Sequence, residues 1–456
     1  MQRFFALLLL AISWATAAPN VLLVVSDDQR PDSIHALGHG QVATPVLDRL
    51  VARGTAFSRA YAGYPICHVS RAQILTGTHA FTALPKYPTG GIDPNLATLA
   101  GTLQRAGYFT CYSGKWHNDG HPLQRGYSLT SGLFSSGGAK GVEQPAMDDR
   151  GRPLTGYRGW TFKDSENRAE LDKGVGLLPD NSRIIADGAI RAIESAPKDK
   201  PWFVHVNFAF PHDPLQWPKG LENRYLAEKM VLPPNFAPLH PFDHGNLLGR
   251  DELLLPSPRT EYAVREELAL YYAMVTDVDS QLGRILAALP SQEETVIIFT
   301  SDQGLALGSH GLLGKQNCYE HSIRSPLIVC GPGLPRNERC AALVELRDLF
   351  PTLCDLAGVA VPATVTGKSL LPLLRHETDR VRVFATGVFT DTQRMICDER
   401  WKFILYPKVG REQLFDLQAD PYELRDLSAV VSHADTLARL RAELRSWRVQ
   451  SGDPLR

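Results

Sequence analysis

Asn20-Val-Leu-Leu-Val-Val25, followed at once by Ser26-Asp27-Asp28, is the stretch on which the fold turns. A continuous apolar, β-branched run has no polar face, so it belongs in a sheet covered on both sides, the setting of a buried parallel strand. Runs of the same character recur at Tyr108 to Ser113, Trp202 to Ala209 and Thr295 to Thr300. Helical patterns lie between them. Thr44-Pro45 with Leu47, Leu50, Val51 and Gly54 has the grammar of a helix start, apolar face and stop, and Leu96, Leu99, Leu103 and Gly107 repeat it. Ile184, Ile185, Ile190 and Ile193 mark another helix, and Val264 to Leu286 a longer one. This alternation predicts an α/β fold whose mainly parallel central sheet is sandwiched by helices.

Two segments resist the pattern. Residues 125–180 are polar, with Ser135-Ser-Gly-Gly138, and residues 211–258 are rich in proline; both are expected as irregular walls or lids. Beyond a boundary placed near 375, short antiparallel strands are expected at Arg382 to Phe389, Met395 to Asp398, Trp401 to Tyr406 and Gln413 to Leu417, then an amphipathic helix from Ala434 to Trp447. The predicted organisation is residues 1–17 as a signal peptide, 18–375 as the catalytic domain and 376–456 as a smaller α+β subdomain.

The signal peptide is read from Arg3, the apolar run Phe4 to Trp14 and the small-x-small site Ala15-Thr16-Ala17. The run is too short to span a bilayer, so export to the periplasm or medium is expected, without stable membrane insertion. No Asn-x-Ser/Thr acceptor occurs, which leans toward a bacterial envelope. Lys and Arg total 48 against 49 Asp and Glu in 456 residues, so no bulk basic field suits nucleic acid. Seven cysteines, an odd number with no C-x-x-C pair, leave at least one without an intramolecular partner and remove the common zinc and thioredoxin readings. Cys67 has the most informative surroundings.

Each apolar run ends in chemistry: Ser26-Asp27-Asp28, Gly114-Lys115-Trp116-His117, Pro211-His212-Asp213-Pro214 and Ser301-Asp302-Gln303-Gly304. In open α/β sheets ligands bind beyond the carboxyl ends of the strands, so these groups are expected on one rim. Singly, each has a bland reading as a turn, a solvated charge or a satisfied hydrogen-bonder; jointly they make a site. Asp27, Asp28 and Asp302 would repel unless protonated or neutralised by a cation, and oxygen donors, with the Gln303 amide, suit calcium or magnesium better than zinc.

Cys67-His68-Val69-Ser70-Arg71, closing in Leu75-Thr76-Gly77, resembles the C-x-P-S-R signature of the formylglycine-dependent sulfatases of the alkaline phosphatase superfamily. The other marks of that family follow in order: Asp27-Asp28, Gly114-Lys115-Trp116-His117, Pro211-His212, Ser301-Asp302 and Gly314-Lys315. The likeness spans roughly residues 20–335 and continues into Gln413-Leu-Phe-Asp-Leu417 and Asp420-Pro421. Val69 stands where the family usually has proline, and Gln303 replaces its usual Asn or His ligand. The resemblance implies a sulfatase like exported bacterial glycan sulfatases, acting on sulfated saccharides, with Cys67 converted to formylglycine by a maturation enzyme. It implies that Asp27, Asp28, Cys67, Asp302 and Gln303 hold a divalent metal, calcium before magnesium. By the same resemblance Arg71 steadies the nucleophile, Lys115 and Lys315 clamp sulfate, His212 is the general acid and His117 the base, the converse assignment of the two histidines being the alternative. His310 is expected behind the ligands, and His68 and His79 as structural or substrate-facing. Trp217 is read either as a sugar-stacking residue or as packing. A phosphonate monoester or phosphodiester hydrolase of the same superfamily, and a sulfated-glycan-binding pseudoenzyme, are the competing readings.

Overall fold

A computed structural model describes residues 18–38, 40–142, 146–148 and 150–455. The expected signal peptide lies outside the described residues. Among the described residues fourteen strands run in chain order: β1 (Asn20–Ser26), β2 (Thr55–Tyr61), β3 (Phe109–Trp116), β4 (Leu129–Ser135), β5 (Thr161–Lys163), β6 (Trp202–Asn207), β7 (Thr295–Ser301), β8 (Arg324–Cys330), β9 (Glu338–Cys340), β10 (Val344–Glu345), β11 (Ala385–Phe389), β12 (Gln393–Cys397), β13 (Trp401–Tyr406) and β14 (Arg411–Asp416). The first ten form one sheet in the order β10-β2-β8-β7-β1-β6-β3-β4-β5, with β9 also on β2. Its centre, β7-β1-β6-β3-β4, is parallel throughout. β5, β8 and β2 add antiparallel pairings toward the edges.

The two faces of β1 serve two cores. Leu22 and Val24 point into one, with the helices Pro45–Arg53, Asn181–Glu194 and Glu261–Ala287. Val21, Leu23 and Val25 point into the other, with the helices Cys67–Thr76, Leu99–Arg105 and Leu349–Ala357. Burying such a side chain on either face is worth about 2 kcal/mol, so an apolar residue is favoured at every position of the strand. Trp217 is half-buried and packs against the first core.

Segment 125–180 corrects its expectation as irregular, because it contributes β4 and β5 to the central sheet. Ser, Thr and Gly dilute β4 until its period disappears, yet its backbone continues the parallel ladder of β3. Segment 211–258 holds only short 3-10 turns between β6 and the helix Glu261–Ala287, as its prolines predict.

Strands β11 to β14 form a separate antiparallel meander backed by the helix Ala434–Ser451. Its other face shares a core with the chain leading to β8: Met395, Ile404 and Tyr406 pack with Tyr61, Leu312, Tyr319 and Ile323. Buried Lys402 bridges Glu320 (3.0 Å) and Glu423 (2.8 Å), and the Gln393 side-chain oxygen Oε1 accepts from the Cys318 backbone amide at 2.9 Å. All seven cysteines are free and six are buried. Among the described residues no helix is long and apolar enough to cross a membrane.

Candidate active site

Parallel register brings the rim together. Ser26 pairs with Ser301, and Asn207 with both Val25 and Gly114, so the residues that follow β1, β3, β6 and β7 emerge side by side. Asp28 leaves β1 with φ 66°, a left-handed turn that Asp tolerates better than most side chains, and its amide donates to Asp302 Oδ1 at 3.1 Å. The helix Cys67–Thr76 points its N-terminus at the same spot, where its free amides favour negative charge.

Asp27, Asp28, Cys67 and Asp302 are all buried and each offers a ligand atom within 4.8 Å of the others. Cys67 Sγ lies 3.1 Å from Asp27 Oδ1. The Gln303 amide nitrogen reaches Asp28 Oδ1 at 2.6 Å and Cys67 Sγ at 3.2 Å, and its buried carbonyl oxygen has no hydrogen-bond partner. Three converging carboxylates form a hard oxygen donor set that fits a divalent cation, and the Gln303 side chain presents its amide nitrogen to that set.

Cations face these acids one by one. Lys115 Nζ contacts Asp27 Oδ2, Lys315 Nζ lies 2.8 Å from Asp28 Oδ2, and Arg71 Nε lies 2.9 Å from Asp302 Oδ2. Burial alone would raise the Asp27 carboxyl, but Lys115 and Arg71 outweigh it and hold it well below the usual range. Asp28 is pushed up to about 8 by burial and the neighbouring carboxylates, despite Lys315. Asp302 is also raised, by burial and by Asp27. Burial, with Asp27 beside it, pushes the Cys67 thiol well above its ordinary range, so the unaltered side chain is a protonated, weak nucleophile.

His212 turns Nε2 toward Asp28 Oδ2 at 3.9 Å. His117 packs on His68 (5.8 Å between ring centres) and Trp160 (5.2 Å), with a buried Nδ1 that has no partner. Burial pushes both rings well below their usual range, reinforced by the Lys315 ammonium at His212 and by Lys115 at His117. Asp27, Asp28, Cys67, Arg71, Lys115, His212, Asp302, Gln303 and Lys315 are thus brought together, and His117 packs on His68 and Trp160. His310 stands apart, stacked on Tyr319 at 4.1 Å and 3.1 Å from the Asn235 amide. His79 caps the short helix Ala80–Ala83 and packs on Trp447, a structural role.

Sequence reasoning missed three features. Asn207, at the end of β6, accepts a hydrogen bond from Arg71 Nη1; the strand-end rule that found the aspartates applies to it equally. Tyr157 donates its hydroxyl to Asp27 Oδ2 at 2.9 Å and packs edge-on against His212, ring centres 4.7 Å apart. It arrives from the segment read as a wall, and no local signal marks it. The third is the pairing of Asp213 with Arg250 beside His212.

A thiol among acids, ringed by lysines and backed by histidines, defines a hydrolase for anionic esters. The chain belongs to the sulfatase family, whose model matches residues 19–359; a second model, N-sulphoglucosamine sulphohydrolase C-terminal, matches residues 308–450. It is thus a sulfuric ester hydrolase. It is 28% identical over 460 residues to an arylsulfatase of Clostridium perfringens, covering 93% of each chain. It is 28% identical over 462 residues to arylsulfatase K of Homo sapiens, covering 91% of this chain and 80% of that one. Among solved structures, one in complex with its substrate D-glucosamine-2-N,6-O-disulfate aligns with a TM-score of 0.74 at 23% identity, covering 96% of this chain and 99% of that one. A phosphonate monoester hydrolase from Silicibacter pomeroyi aligns with the same TM-score and identity, covering 96% of each. These two structures share the fold.

Proposed function

We propose that the protein is an exported sulfatase, periplasmic or secreted, that removes sulfate esters from saccharides through a formylglycine made from Cys67 by a maturation enzyme. In this reading Asp27, Asp28, Asp302 and Gln303, with the converted Cys67, hold a divalent ion, calcium in preference to magnesium. The observation that carries it is the position of the Cys67 sulfur, 3.1 Å from Asp27 and inside the group of acidic ligands. The saccharide assignment is supported by the second family model and by the disulfated glucosamine bound to a protein of the same fold.

Formylglycine supplies a hydrated aldehyde as nucleophile, and the divalent ion supplies positive charge beside the sulfate. The chain's own residues do the rest. Lys115 and Lys315 are placed to hold the sulfate oxygens, on which negative charge persists through the transition state. Arg71 ties Asp302 and Asn207 to the first turn of the helix that carries Cys67, fixing the nucleophile's base. His212 Nε2 delivers a proton to the leaving oxygen, and His117 takes one up when sulfate is released. The site is closed: Asp27, Asp28, Lys115 and Asp302 are each 0% exposed, so water does not screen these charges.

The test is peptide mass analysis across Cys67 in protein co-produced with a maturation enzyme, joined to a screen of sulfated mono- and disaccharides and an aryl phosphonate. The reading expects an aldehyde at Cys67, sulfate release from at least one saccharide and loss of activity in Cys67→Ala. An unmodified thiol with full turnover, or phosphonate turnover above every sulfate ester, would overturn it. Fractionation of expressing cells tests the export.

A further inference from the structure

His212 has its own support, separate from the pocket. Its Nδ1 faces the carbonyl oxygen of Asp213 at 2.7 Å and Asp213 Oδ1 at 3.0 Å. Both are acceptors, so Nδ1 keeps its proton and Nε2 is the ring atom that exchanges one with the pocket. The other carboxylate oxygen of Asp213 is taken by Arg250 Nη2. Arg250 in turn donates through Nη1 to Asp251 and through Nε to Thr155 Oγ1 at 2.9 Å. The backbone closes over this pair at Gly156, where an added Cβ would meet Asp213 Oδ2 and the Asp213 carbonyl oxygen at 2.6 Å each. The next residue is Tyr157, whose ring packs on His212. Three segments distant in sequence thus converge on one face of the imidazole.

We propose that the Asp213 carboxylate, braced by Arg250, is a positioning residue that fixes the aim of His212 Nε2 for protonating the leaving alcohol; this rests on the sulfatase reading above. In the step concerned, the bond from sulfur to the leaving oxygen breaks, its electron pair goes to that oxygen, and the oxygen takes the Nε2 proton of doubly protonated His212, which is left neutral with its proton on Nδ1. The sulfuryl group passes to the Cys67-derived hydroxyl, which gives up its own proton to the Asp27 carboxylate beside it. A sugar or phenol oxygen is basic and needs that proton as the bond breaks; a nitrophenolate leaves without it. The contribution of Asp213 therefore depends on the leaving group, a signature that general loosening of the fold does not produce.

The experiment compares matured wild type, Asp213→Ala and Arg250→Gln on phenyl sulfate and 4-nitrophenyl sulfate. Asp213→Ala is expected to lose ~100-fold in kcat on phenyl sulfate and less than about threefold on 4-nitrophenyl sulfate, with KM little changed. Arg250→Gln, at a side chain one-third exposed, is expected to shift the same ratio by ~10-fold. It decides the question alone if Asp213→Ala does not fold. Equal losses on both substrates, or none on either, overturn the positioning role while leaving the sulfatase reading intact. A wild type that releases sulfate from neither ester nor from any sulfated saccharide of the screen overturns the sulfatase reading itself.

Discussion

The Gln303 amide nitrogen touches the Cys67 sulfur at 3.2 Å and Asp28 Oδ1 at 2.6 Å, while its buried carbonyl oxygen has no hydrogen-bond partner. With the amide turned over, that unmet acceptor would supply a donor to the cation proposed above. Calcium is expected to raise the melting temperature, at 100-fold excess over its dissociation constant by the equivalent of about 3 kcal/mol, and chelation to reverse it. Gln303→Leu keeps the volume and removes the oxygen; its calcium affinity by calorimetry is expected to be at least about tenfold weaker. An unchanged affinity would remove Gln303 from the ligand set.

Lys115 and Lys315 each face one aspartate and flank the same thiol. Replacing either by Met is expected to lower kcat/KM by about 10²- to 10³-fold. The variants differ from a simple packing defect in being unresponsive to stabilising solutes, although the aspartate left alone also costs about 3 kcal/mol. Parallel melting and kinetic measurements separate the two effects.

Val69 is fully buried in the first turn of the helix that begins at Cys67, where amides have no partner within the helix. Proline at this position deletes no intrahelical hydrogen bond. Val69→Pro is therefore expected to fold, and to raise the fraction of Cys67 converted to aldehyde on co-expression with a maturation enzyme, read by peptide mass. An unchanged or lower fraction would show that Val69 does not limit conversion.

Asp453 anchors the end of the last helix to β12: its carboxylate accepts from Arg394 at 2.7 and 2.8 Å and from Arg448 at 2.7 Å, and it is fully buried. Burial would raise its pKa, but these hydrogen bonds outweigh it and bring it down to about 2. A carboxyl depressed in the folded state stabilises fully above its unfolded value near 3.8, and that contribution fades as pH falls toward 2. Asp453→Asn is expected to cost about 3 kcal/mol at neutral pH, because it strands buried Arg394. It is also expected to flatten the loss of stability between about pH 4 and 2 in denaturant titrations.

What could be read from the chain follows from how locally each feature is encoded. β1, β3, β6 and β7 are buried on both faces, so their apolar runs and the polar residues at their ends stand out, and Asp27, Lys115, His212 and Asp302 were found together. β2 escaped notice because Ser58 and Arg59 interrupt it at an irregularity in its pairing with β8. β4 escaped because its ladder comes from β3 and not from its own residues. Tyr157 and the Asp213–Arg250 pair acquire meaning only from contacts across a hundred or so positions, or from 37 in the pair's case. No window along the chain contains them.

The loop that carries Lys315 rests on the small meander through Lys402 and Gln393, so the clamp proposed for the sulfate has its foundations in a different sheet from the acids it faces. Catalytic competence is in that sense a joint property of both halves. Drift or engineering in β12 and β13, far from any reacting atom, would surface as an altered grip on the anion, and a chain cut after the large sheet would be an unfinished enzyme instead of a minimal one.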